Sequence, residues 1–415
     1  MKHSTGHMAV KRNKAFIYGF TFTNRFILYL SLLPLIYANQ GLSLQQISII
    51  TIIANMAIFC LEIPAGFIAD RIGKKKSVLI GIIINCIGLL FIILFSKTFS
   101  SFVIWAVIQA IGISLISGAD SALVFEYLKA NNSAEEYHKV ASNISFLSRM
   151  SVFIATLISG IVIIISFDLA LIITLASKLI SLLLMFLFSP HLKPDNVSTS
   201  NQKVKIKPTN IIKGLRVIKG NTMFLYYAIF GALLIEAPGI LWEYKSIVLD
   251  EKLNLEIQQL AVIIAFLNLI FAFSFLLSKK MAGFLKKDKK YLSYLILPIA
   301  MLAAVIATGW MSLVFFVIYI MLNGIYSPYI NFKINSNLQD DSIRATVLSI
   351  INATDRIVYA AFIGLFGILA NFFGLRNIFM ILASLFILIY FVLIPINVRA
   401  KAQEDEDKSV SIVNE

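Results

Sequence analysis

Twelve apolar runs punctuate this chain, and they leave it few ways to fold. A helix that crosses about 30 Å of hydrocarbon needs about 20 apolar residues at about 1.5 Å each. Runs on that scale fall near residues 15–37, 45–68, 77–96, 100–127, 139–163 and 168–189, and again near 222–247, 255–278, 291–309, 311–333, 345–370 and 375–396. The chain is 59% hydrophobic and 14% charged, whereas a soluble domain is about 45–50% apolar and about 25% charged. Soluble enzymes, disordered chains and secreted disulfide scaffolds are excluded. The runs are unbroken rather than alternating, which excludes an outer-membrane barrel. Cys60 and Cys86 both lie inside runs and are expected as small buried hydrophobes without a disulfide.

The expected fold is an all-α polytopic membrane protein with 12 transmembrane helices in two pseudo-symmetric six-helix bundles. Its parts are an N-terminus (1–14), a first bundle (15–189), a basic linker (190–221), a second bundle (222–396) and a tail (397–415). Placing both termini, the linker and the even-numbered links on one side puts 28 of the 36 basic residues there and only 4 on the other. The positive-inside rule makes that side the cytoplasm. The net charge of +14 therefore belongs to membrane-facing loops, not to a nucleic-acid surface. No small-residue cleavage site precedes the first run, so no removable leader is expected.

The halves also resemble each other in sequence. At an offset of 207, Leu115/Leu322, Phe125/Phe332, Ser142/Ser349, Arg149/Arg356 and Gly160/Gly367 match without a gap. The Arg and Gly pairs, each 11 residues apart in its own half, are the informative ones. Two six-span halves related about the membrane normal are one known membrane architecture.

Between the second and third runs stands Gly66-Phe-Ile-Ala69-Asp70-Arg71-Ile-Gly73-Lys74-Lys75-Lys76. This closely resembles the signature loop of the major facilitator superfamily, and with twelve spans, a basic linker and the repeat the resemblance covers nearly the whole chain. It implies a secondary transporter of alternating access. It implies also that Gly66, Asp70, Arg71, Gly73 and Lys74 form a conformational latch, with Asp70 facing residues near Ser342–Thr346. Drug–proton antiporters of the superfamily carry an arginine in the fourth span before Gln-Gly-x-Gly. Here Ala106 stands at the arginine position, while Gln109 and Gly112 remain. The Glu62-Ile-Pro64-Ala-Gly66 and Gly118-Ala-Asp120-Ser-Ala-Leu segments resemble a less characterised bacterial branch of exporters.

Charges inside spans cost about 2.5–3.5 kcal/mol at a helix centre on insertion scales, so each needs a reason. Arg25, Asp120, Glu126, Arg149, Glu236, Asp355 and Arg356 are the candidate substrate or proton-coupling residues. Asp120 and Arg149 lie at similar depth on neighbouring spans and are expected to pair. Glu236 precedes Pro238-Gly239, a helix break, and has no basic residue near it on its inner side, which makes it the expected proton carrier. Lys178 has no evident partner. Tyr18, Phe22, Tyr29, Trp242, Tyr244, Tyr326 and Tyr329 are either cavity walls for an amphipathic ligand or packing residues.

His3, His7, His138 and His191 all lie outside the runs, so a histidine relay is not expected. No phosphate-binding Gly-rich loop, His-Glu-x-x-His or Cys-x-x-Cys occurs, so neither an enzyme, a metal site nor a cofactor is expected. The leading expectation is proton-coupled export, by antiport, of a hydrophobic or amphipathic small molecule. Proton-coupled uptake of an anionic or zwitterionic nutrient, and a non-transporting sensor or scaffold, stay open. A monomer in the bilayer of the inner (plasma) membrane, both termini cytoplasmic, is expected.

Overall fold

A computed structural model describes residues 2–131, 136–189, 231, 239–284, 295–336 and 341–413. Every regular element among them is a helix. Inside hydrocarbon only a helix satisfies each backbone group within its own segment, so long apolar runs have this one outcome. Chain order gives α1 (Lys2–Arg25), a 3-10 turn (Leu30–Leu32), α2 (Leu33–Asn39), α3 (Leu44–Ile72), α4 (Lys74–Leu94) and α5 (Phe99–Ile116). Then follow α6 (Ala119–Ala130), α7 (Tyr137–Ile165), α8 (Phe167–Leu187), α9 (Gly239–Glu243) and α10 (Lys245–Leu253). The described chain ends with α11 (Ile257–Phe284), α12 (Ile296–Ile306), α13 (Trp310–Ser336) and α14 (Asp341–Val413).

Nine spans among the described residues are long and apolar enough to cross a membrane. One of them, Asp355–Phe391, covers parts of two of the expected runs, which meet where Gly374 adopts φ 75°. The shorter apolar α12 falls on the ninth run and α9 on the seventh, while α10 starts at the end of the seventh run and fills the link after it. The chain is thus an all-α polytopic membrane protein consistent with twelve spans. The uncharged link around Ser166 is a true boundary. Ser166 is extended (φ −169°, ψ 139°), and its hydroxyl accepts from Asp168 N to start α8. Across the neighbouring links Lys97 pairs with Asp168 at 2.7 Å. At the start of α3, Ser43 and Gln46 form a reciprocal capping box that supplies two otherwise orphaned donors.

The chain divides into two compact units. One comprises Met1–Lys203 with Leu255–Leu269, the other Val204–Asn254 with Ile270–Glu415. The first half of α11 therefore packs in the first unit, beyond the six expected runs. Gly160 on α7 permits this, since a Cβ there would meet the Ala261 Cβ at 2.6 Å. Phe153 meets Phe266 edge to face, and Asn268 donates to Ser31 Oγ at 3.2 Å. The repeated glycine is a packing residue.

Within the first unit α4 and α5 approach closely, because small residues face each other. A Cβ on Gly81 would sit 2.7 Å from the Gly112 carbonyl oxygen, and one on Gly112 would sit 2.0 Å from Asn85 Oδ1. Lipid tails are as apolar as leucine, so such close backbone approach takes the place of hydrophobic drive between helices. Gln109 donates to the Asn85 carbonyl at 3.1 Å. Gln109 and Gly112 thus both serve the α4–α5 contact. Cys86 is buried in this core, but Cys60 is exposed on α3, so the expected burial of both cysteines is corrected for Cys60.

In the second unit Phe366 lies between Tyr244 and Phe379, with ring centroids at 4.6 and 4.8 Å. Lys252 ends α10 and donates to the Val305 and Ala307 carbonyls, capping the last turn of α12.

Candidate functional site

Two spans of the first unit are broken in mid-course, and the breaks place the candidate residues. The first run is not one helix. α1 stops at Arg25, residues 26–29 are non-helical, and the chain resumes as a 3-10 turn and α2. A helix end leaves its last carbonyls without intrahelical donors, and inside a membrane each must find another. Ser151 Oγ donates to Phe22 O at 2.6 Å, and Ser177 Oγ donates to Thr23 O at 2.8 Å. Lys178 Nζ donates to Asn24 O at 2.6 Å and to Asn24 Oδ1 at 2.7 Å. Beyond the break, Leu28 N donates to Thr174 Oγ1 at 3.2 Å. Lys178 is 4% exposed. It does not reach the membrane surface; it caps the end of α1. A Ser-Lys pair in the apolar α8 and an Asn-Arg pair in α1 were the visible signals, but nothing in the sequence joins positions 154 residues apart.

The fourth run breaks at Ser117–Gly118, where Gly118 takes φ 77°, a conformation that strains other residues. α6 then starts with Asp120 in its first turn, and the carboxylate accepts from Ser121 N at 2.6 Å. An acidic group at a helix N-terminus meets the positive end of the helix dipole. Asp120 opens onto a cavity of about 180 Å³ between α1, α6, α7 and α8. Its walls are chiefly apolar, with Phe20, Leu123, Val124, Ile144 and Met185, and Tyr137 closes one side. Asp120 carries the single charge among the lining residues.

The cation whose charge reaches Asp120 is Arg25, one turn beyond the cavity-lining Thr21 on α1. The expected Asp120–Arg149 pair is corrected accordingly: no ion pair joins them among the described residues. The break at Gly118 starts a new helix with Asp120 in its first turn, so the carboxylate's position does not follow from depth along one continuous span. Glu126 is not in the cavity either. It pairs with Lys74 at 2.7 Å, and Asp70 approaches the same ammonium at 3.5 Å.

The signature loop turns through a single residue, Gly73 (φ 96°), which ends α3 and begins α4. Lys75 donates to Phe186 O and Phe188 O, capping α8. The basic run therefore ties α4 to α6 and α8. Asp70 remains 74% exposed. Its expected partners near Ser342–Thr346 have side chains outside the described residues.

In the second unit Asp355 and Arg356 are half-buried on α14. Glu236 lies outside the described residues. Lys245, expected in a solvated outer link, is instead 6% exposed, donates to Trp242 O at 3.1 Å and stands 4.6 Å from the Trp242 ring centroid. The aromatic residues that line the cavity are Phe20 and Tyr137, neither of them among the candidates. Tyr29 packs on Trp105 at 5.1 Å, Tyr244 on Phe366, and the hydroxyl of Tyr18 accepts from Asn143 Nδ2 at 3.1 Å.

Long apolar helices, broken spans and a carboxylate that opens onto an apolar cavity characterise a polytopic membrane protein. The sequence model described as Major Facilitator Superfamily matches residues 15–342. The chain belongs to this superfamily of transporters. Solved structures support the same fold at low identity. A bacterial homologue of the human lysosomal transporter Spinster, inward-facing and occupied, superposes with TM-score 0.73 at 15% identity, covering 95% of this chain and 97% of that one. The nucleoside transporter NupG gives TM-score 0.73 at 13% identity, covering 94% and 98%. The inward-open xylose transporter XylE from E. coli gives 0.65 at 14%, covering 92% and 95%. Comparison with curated protein sequences found no match.

Proposed function

We propose that the chain exports a small amphipathic molecule carrying a basic group, in exchange for protons, across the inner (plasma) membrane. One observation carries this reading: an apolar cavity whose lining holds a single charge, the Asp120 carboxylate. Apolar walls reward burial of a hydrophobic body at about 25 cal/mol per Å², and the carboxylate orients a cation. With both termini in the cytoplasm, as the distribution of basic residues supports, the cavity lies in the cytoplasmic half of the first bundle. A cargo dissolved in the inner leaflet or the cytosol reaches it there. Glu236 carries the coupling proton in the second bundle, and Arg149, Asp355 and Arg356 serve as further substrate or proton-coupling residues, each within its own unit. Gly66, Asp70, Arg71, Gly73 and Lys74 act as the latch of alternating access, and the working unit is a monomer.

Proteoliposomes test the direction and the coupling together. With tetraphenylphosphonium as probe, an imposed proton gradient should drive its movement opposite to the protons. Gradient-driven uptake of glycine instead would select the zwitterion-importer reading. No flux of either under any gradient would select a sensor or scaffold.

The latch gives a separate expectation. Asp70 is mostly exposed, and a surface ion pair contributes about 0–1 kcal/mol. Asp70→Asn should leave the thermal unfolding midpoint almost unchanged while shifting the distance distribution between spin labels on the two halves. Identical distributions in both proteins would remove the latch role.

A further inference from the structure

The break in the first span is held by four side chains, and Lys178 is the one among them that carries a charge. Ser151, Ser177 and Thr174 satisfy backbone groups through hydroxyls, which neither gain nor lose a proton at ordinary pH. Lys178 holds the last free carbonyl, Asn24 O, and the Asn24 amide oxygen as well. Both acceptors are neutral. The charged and titratable groups that act on it are Arg25 from α1 and Cys86 from α4, while α7 brings the neutral Ser151 to the same end of α1. No ion pair to a carboxylate is formed there among the described residues. What favours the ammonium is the negative end of the α1 dipole on which it sits.

We propose that Lys178 is a positioning residue for transport: protonated, it holds the first span broken at residues 26–29 and so fixes where Arg25 stands relative to Asp120. The ammonium donates two charge-assisted hydrogen bonds, which are about twice as strong as neutral ones. When it gives one proton to water, the amine keeps its place in sequence but loses the charge that the helix end attracts. The hold on Asn24 weakens, and the four unwound residues are released to add a turn to α1. A further turn moves Arg25 and Tyr29 together, because Arg25 precedes the short segment and Tyr29 is its last residue. Arg25 is the cation whose charge reaches Asp120, so proton release at Lys178 is felt at the cavity carboxylate without any contact between the two. The inference goes beyond the export reading and stands whichever way the cargo moves.

Tyr29 reports on the break, since its ring packs on Trp105 with centroids 5.1 Å apart. The chain has three tryptophans, and replacing Trp242 and Trp310 by Phe leaves Trp105 as the single emitter. Emission of this full-length protein in nanodiscs, followed from about pH 5 to about pH 10 without ligand, should show one step. Lys178→Arg stays charged and should hold the low-pH emission throughout. Lys178→Met should hold the high-pH emission throughout, and Cys86→Ser should keep the step. A step of full size in Lys178→Arg, its loss in Cys86→Ser, or its absence from the parent protein each overturns the proposal. Arginine and lysine are both cations, so Lys178→Arg decides the matter even if the methionine variant does not fold. Flux is measured separately and does not enter this result.

Discussion

Asp120→Asn should lower the affinity of the purified protein for tetraphenylphosphonium by about 10- to 100-fold while leaving its thermal unfolding midpoint nearly unchanged. Asparagine keeps an oxygen that can accept from Ser121 N, and it remains a good residue at a helix N-terminus. The fold loses little. The cavity loses its single charge, and interactions with a charged group contribute about 1.5–3 kcal/mol, each 1.4 kcal/mol being tenfold in affinity. Arg25→Gln should act in the opposite direction, since it withdraws the cation that competes with the ligand for Asp120. Equilibrium dialysis on the two single variants and the double variant checks both signs. Equal affinity in the wild type and Asp120→Asn would remove the carboxylate from the binding site.

The architecture was legible because it follows from run length. Hydrocarbon thickness demands long apolar helices, and the runs at 45–68 and 77–96 fall on α3 and α4 within a few residues. The signature loop was legible for a similar reason: its turn needs Gly73 at positive φ, and its cations sit where helix ends need donors. What escaped sequence reading was the interior of the spans. Hydropathy cannot show that the first run unwinds after Arg25, because residues 26–37 are as apolar as a continuous helix would be. The sequence named Arg25 and Asp120 as candidates, but depth along ideal helices paired Asp120 with Arg149. The Gly118 break interrupts that depth count. Lys178 was visible as an anomaly, yet its partner is a backbone carbonyl, and a carbonyl leaves no mark on composition. Lys245 was miscounted as a solvated loop charge for a related reason. Its hydrogen-bond acceptor is the Trp242 carbonyl, and the ring beside it is apolar.

Gly112→Ala should destabilise the first bundle by about 1–3 kcal/mol, the usual cost of forcing extra volume into a packed core. A Cβ at this position would meet Asn85 Oδ1 at 2.0 Å, Asn85 Cγ at 2.6 Å and the Gly81 carbonyl oxygen at 2.6 Å. The first two belong to a side chain that is itself buried, and the third to the backbone of the facing helix. Neither yields cheaply. Asn85→Ala in the same protein removes the side-chain clash but leaves the Gly81 carbonyl in place, so it should recover part of the loss and not all of it. Residues in contact are coupled in this way, and the double-mutant cycle measures the coupling directly. Gly66→Ala is the control. Nothing lies within 4 Å of a Cβ built there, and its φ needs no glycine, although it opens the signature loop. Thermal unfolding of the detergent-solubilised protein should therefore place Gly112→Ala well below the wild type, Gly112→Ala/Asn85→Ala between them, and Gly66→Ala level with the wild type. An unchanged midpoint in Gly112→Ala would mean that α4 and α5 are not held at the separation their glycines permit, and that Gln109–Gly112 has some role other than joining them.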